Sequence, residues 1–130
     1  MRAAGALLLA ALAGCADGGW APPGTGWSRA PDLSVYSAMS LFGDVAREQA
    51  VLCGGFGTAS VERHWREDFA AREAAVTARL AARHGAEAVS AAEAGAVATR
   101  RVPCPTAPNL RWRHHYARLL RLLETRLGLA

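Results

Sequence analysis

Between Thr58 and His84 the large apolar side chains Val61, Trp65, Phe69, Val76 and Leu80 recur at helical spacing. At 100° per residue they fall on one stripe, which predicts a long helix capped by Thr58 or Ser60 and closed by Gly85. Ala71, Ala75, Ala78 and Ala82 form a second face, smooth enough for another backbone to approach. A helix with two contact faces is expected at the centre of its fold. Arg72 falls inside the large apolar stripe, where it snorkels to water, pairs with Asp68 one turn earlier or, as the less expected alternative, serves as a buried functional guanidinium.

The rest of the domain also reads as helix. From Ser34 to Cys53 the pattern includes Val35, Met39, Phe42, Val45 and Leu52, and Gly54-Gly55 then offer the left-handed conformation on which helices often end. Ala86 to Ala98, with Val89, Ala92 and Val97, predicts a short and weakly amphipathic third helix whose Gly95 lowers its propensity. RRVPCPTAP follows as an irregular connection, because closely spaced prolines forbid regular hydrogen bonding. Asn109 is placed to cap a last helix running to Leu127.

That last helix has the clearest pattern in the chain. Trp112, Tyr116, Leu119, Leu120, Leu123 and Leu127 gather on one side, and Arg111, Arg113, His114, Arg118 and Arg121 on the other. Arg111 and Arg113 occupy the first turn, where the helix dipole disfavours cations. A local rule broken in this way can mark a partner surface; the alternative is a solvated face in an arginine-rich protein. All 15 basic residues are arginine, a bias that GC-rich coding explains before function does.

The N-terminus has a different character. Arg2 leads into the apolar run AAGALLLAAL, about half the roughly twenty residues needed to span a bilayer, and the small residues Ala13 and Gly14 follow, as at secretory cleavage sites. The tetrad Leu12-Ala13-Gly14-Cys15 resembles the lipobox of bacterial lipoproteins. That resemblance implies removal of residues 1–14 as a signal peptide and attachment of diacylglycerol to the Cys15 thiol, with an acyl chain such as palmitate on the new amino terminus. Two or more chains give a lasting anchor where one binds only marginally. In the class, an aspartate directly after the cysteine favours inner-membrane retention. Here Ala16 holds that place and Asp17 comes one later, so in a cell with two membranes the outer one, facing the periplasm, is the expected address.

With Cys15 taken by lipid, Cys53 and Cys104 are the remaining thiols, and an exported chain meets oxidising conditions. A disulfide between them is therefore expected. It would close a loop of about fifty residues and stabilise the fold by roughly 4 kcal/mol on a chain-entropy estimate. Chain order agrees, since in an up-down-up-down bundle the end of the first helix and the entry to the fourth share a pole. The third helix is too short to match the second. The expected fold is thus all-α, a small and partly irregular four-helix bundle over residues 32–130, preceded by a flexible tether.

That tether, residues 15–31, is rich in Gly and Pro and has a typical reach of about 20 Å. Trp20 and Trp27 within it either rest in the membrane interface, which favours the indole, or tuck against the domain. The formal net charge of +4 includes Arg2. Nucleic acid is not an expected partner for an exported chain; the membrane, reached through the anchor, is.

Chemistry has few candidates. His64, Glu67 and Asp68 in HWRED stand at i, i+3 and i+4, which places an imidazole and two carboxylates near one another on a helix. Bundle metal sites draw ligands from facing helices, and no second set is evident. The adjacent His114 and His115 point about 100° apart, and His84 stands beside Gly85. No phosphate loop, nucleophile elbow or serine triad spacing appears, so neither a metal nor a cofactor is expected. Two readings remain: a lipid-anchored structural or interaction protein that contacts an envelope protein, anionic lipid or cell-wall polymer, and a small envelope enzyme using His64 with Glu67 or Asp68. A deep polar pocket around His64 would favour the enzyme; a solvated His64 beside an exposed apolar or basic surface would favour the interaction protein.

Overall fold

The computed structural model describes residues 25–95, Cys104 and residues 110–130. The signal region, Cys15, Trp20, Val97, most of RRVPCPTAP and the Asn109 cap lie outside the described residues. Among those described, a 3-10 turn at Thr25–Arg29 precedes α1 (Asp32–Leu52), α2 (Thr58–His84), α3 (Ala86–Ala94) and α4 (Arg111–Arg126). The fold is all-helical, with Cys53 and Cys104 joined in a disulfide whose Cα atoms lie 5.5 Å apart.

The central helix is α1, not α2. It buries Val35, Tyr36, Ala38, Met39, Leu41, Phe42, Gly43 and Val45 and packs against α2, α3 and, most extensively, α4. The expected large stripe of α2 is buried at Trp65, Phe69, Val76 and Leu80. Its alanine face, Ala71, Ala75, Ala78 and Ala82, is exposed to solvent. The physical reason is the small size of alanine. Burying a methyl stabilises by only about 0.8 kcal/mol, whereas alanine is the best helix former wherever it sits, so these residues sustain a long outer helix rather than a second contact. Leu52, placed by its spacing in the buried pattern of α1, is also exposed, at the very end of that helix.

The turns follow from backbone requirements. After α1 the amides of Cys53 and Gly54 both donate to the Gln49 carbonyl, and Gly55 takes a φ of 71°. Gly85, at φ 90°, separates α2 from α3 with no intervening loop, a conformation in which a Cβ would be strained. The connection turns α3 back so that Val89 joins the core.

Polar groups tie the helices at buried ends of side chains. The Tyr36 hydroxyl donates to Glu93 Oε1 at 2.7 Å and lies 3.2 Å from Thr77 Oγ1, linking α1, α2 and α3. The Tyr116 hydroxyl donates to Glu73 across α4 and α2. Burial, opposed by the Thr77 hydrogen bond and reinforced by Glu93, pushes the Tyr36 phenol up to about 12; burial and then Glu73 raise Tyr116 further. Both therefore stay protonated donors. Arg72 neither snorkels free nor pairs with Asp68. Its Nε and Nη2 each donate to Glu124 at 2.7 Å, and that bond, against desolvation, holds the Glu124 carboxyl below its ordinary range. The two-pronged geometry explains the choice, since a guanidinium and a carboxylate match as planar forks.

The domain begins earlier than Asp32. Trp27 packs on the core and Ala30 and Leu33 join it. Arg126, in the last turn of α4, donates to the carbonyls of Trp27, Ser28 and Ala30 at 2.9, 2.6 and 2.7 Å and to Asp32 Oδ1 at 3.1 Å. Residues 25–31, assigned by composition to the tether, are thus clasped onto the bundle. Of the two alternatives for Trp27, the structure shows the tucked one.

Candidate functional site

His64, Glu67 and Asp68 stand on the outer surface of α2. His64 is exposed, and its Nδ1 lies 2.8 Å from the Ser60 carbonyl of its own helix and 3.4 Å from Ser60 Oγ. Asp68 is held by Arg113 Nη2 at 2.6 Å, and Glu67 is exposed. None of the three lines the open groove between α1 and α3. Among the described residues no group of three His, Cys, Asp or Glu side chains is arranged to hold a metal ion.

A concavity lies elsewhere. An open groove of about 560 Å³ runs between α1 and α3 beside the 3-10 turn, lined by residues including Trp27, Leu33, Ala38, Leu41 and Ala91. It contains no charged side chain, and its polar side chains are the hydroxyls of Ser34 and Ser37.

The cationic face of α4 is divided by packing. Arg113 turns toward α2. Besides its ion pair with Asp68, its guanidinium carbon lies 4.7 Å from the centre of the Phe69 ring and 6.0 Å from that of Trp65. This contact fastens α4 to α2. Arg111, His114, Arg118 and Arg121 are exposed. Arg111 lies against Trp112, 5.6 Å from the ring centre, and donates to His115 Nε2 at 3.4 Å. Arg118 and Arg121 make no ion pair with an acidic side chain among the described residues, since the nearby Glu124 is already engaged by Arg72.

His115 was not singled out by pattern, because the preceding histidine lies on the polar face. In the structure it is only 9% exposed and sits 5.5 Å from Phe42 and 6.0 Å from Trp112 between ring centres. Its Nδ1 has no hydrogen-bond partner among the described residues. Burial, then the charges of Arg111, Arg118 and His114, hold its imidazole below the ordinary value of 6.5. A buried neutral imidazole fits the site, because a cation there would be desolvated beside other cations.

One pole of the bundle exposes apolar side chains. Leu52, Phe56 and Leu110 are 55%, 62% and 64% exposed. Leu52 ends α1, Phe56 lies in the turn into α2, and Leu110 precedes α4. The Arg126 clasp pairs the end of α4 with the start of α1, so these two helices are antiparallel and the three residues share the opposite pole, where the disulfide also lies.

These features define a disulfide-bridged helical domain with a basic outer face and an uncharged groove. No protein-family model, curated protein or solved structure matches the chain. No helix among the described residues is long and apolar enough to cross a membrane.

Proposed function

We propose that this chain is a lipid-anchored protein of a bacterial cell envelope, held at the membrane through Cys15 and carrying a small helical domain with a structural or interaction role. The tetrad Leu12-Ala13-Gly14-Cys15, ending a short apolar run, is the observation that carries this reading. The paired state of Cys53 and Cys104 supports it, because structural disulfides persist in oxidising compartments. The arrangement of polar groups favours interaction over catalysis: His64 is exposed on α2, while cations and apolar side chains stand exposed together on α4 and the neighbouring pole.

The reading is tested by fractionating cells that produce the protein or its Cys15→Ala variant. The wild-type chain should stay with membranes through a high-salt wash and leave only with detergent. The variant should accumulate with its signal uncleaved. A wild-type chain released by salt alone would overturn the proposal.

A further inference from the structure

We propose that the exposed face of α4 is a docking surface for the anionic phospholipid headgroups of the bilayer that holds the anchor, an inference that rests on the lipidation of Cys15. At 100° per residue, Leu110, Arg121, His114, Arg118 and Arg111 lie within an arc of about 100° along one side of the helix. All five are exposed. This arc carries cations along its length and a large apolar side chain at its start, with Leu52 and Phe56 exposed at the same pole. Acidic side chains are absent from it. Glu124, the acid of this helix, lies off the arc and is turned to Arg72.

Charge complementarity selects the occupant. A row of guanidinium groups matches a sheet of phosphates, and each basic residue near an anionic surface is favoured independently and over roughly a Debye length. Exposed apolar side chains at the end of such a row enter the boundary between headgroup and acyl chain, as in amphipathic helices that lie on membranes. The position of the chain outside the structure agrees. The described residues begin at Thr25 beside the C-terminal end of α4, so about ten residues separate Cys15 from the clasped turn and span at most about 35 Å. α4 itself is about 24 Å long. The tether therefore allows α4 to lie along the surface from the clasped end to Leu110. Arg113 takes no part, since it faces Asp68 and Phe69.

The test uses the mature lipoprotein reconstituted in phosphatidylcholine vesicles with or without phosphatidylglycerol. Arginines are modified with phenylglyoxal and their rates read by peptide mass spectrometry. Arg63 and Arg66, exposed on α2, are the internal reference. Modification of Arg118 and Arg121 should slow by about fivefold in the anionic vesicles, the factor that corresponds to the stabilisation of one basic residue near such a surface. High salt should remove the difference, and Arg63 and Arg66 should not change. Equal rates in the two vesicles, or equal slowing at Arg63, overturn the proposal. Slowing in neutral vesicles only after a soluble anionic cell-wall polymer is added assigns the face to that polymer and equally overturns it. Flotation separates the two levels of the argument: a chain that fails to float with either vesicle refutes the anchor, whereas one that floats with unprotected arginines refutes only the docking.

Discussion

Gly43 lies in the middle of the central helix, where alanine would ordinarily stabilise by about 1 kcal/mol. Here the neighbours oppose it. A Cβ at this position would lie 3.1 and 3.3 Å from two atoms of the Tyr116 ring and 3.2 Å from Trp65 Cζ2. Each ring is tied to further neighbours. Tyr116 is held by its bond to Glu73 and by Phe69 at 4.8 Å, and Trp65 lies 4.6 Å from Tyr116 with Arg47 on its face at 5.2 Å, measured to ring centres. Overpacking of this kind typically costs about 1–3 kcal/mol. Gly43→Ala should therefore destabilise by about 1 kcal/mol net, a fall in thermal midpoint of roughly 5 °C for a domain of this size. Urea unfolding followed by circular dichroism should show a lower midpoint with an unchanged slope. In a Trp65→Phe background the atom nearest the new methyl on that side is gone, so the same substitution should cost less. If Gly43→Ala alone raises stability by the full helix-propensity increment, the close approach of α1 to the aromatic cluster is not what requires glycine there.

Thiol trapping under denaturing conditions should find no free cysteine in the folded exported protein, and Cys53→Ser should lower stability by roughly 4 kcal/mol on the chain-entropy estimate; free thiols at both positions would refute the bridge. Because the His115 imidazole is held below its ordinary value of 6.5, the unfolded chain takes up a proton that the fold resists, so stability is retained above that pH and declines below it. His115→Phe should reduce the loss measured between neutral and mildly acidic pH, and an unchanged slope would place the proton uptake elsewhere. Arg126→Ala should cost about 1.5–3 kcal/mol through its charge-assisted bonds and speed amide exchange around the 3-10 turn; unaltered exchange there would show that Trp27 alone holds the segment.

How far the sequence could be read depended on how many explanations each residue admitted. Leu119, Leu120, Leu123, Leu127 and Tyr116 at the end of the chain had one, since large apolar side chains at helical spacing are stable only when covered, and all five are buried. The alanines of α2 had two, close packing and helix propensity, and propensity prevailed. Arg113 and Arg118 look alike in the sequence, yet one faces Asp68 and the other solvent, because a helix flank becomes interior only when its neighbour is known. The clasp at Arg126 joins residues 94 to 99 positions apart, a distance at which local composition carries no information. Glycine and proline near Trp27 therefore suggested only a tether. His64, Glu67 and Asp68 had helical proximity, but all three are exposed, and proximity on an exposed helix face supplies no enclosed site.

Mass spectrometry of the N-terminal peptide of the exported protein is the most direct measurement of the central claim. The peptide should begin at Cys15 and carry the mass of diacylglycerol on the thiol together with an acyl chain on the amino group. An unmodified peptide that begins at any other residue would contradict it.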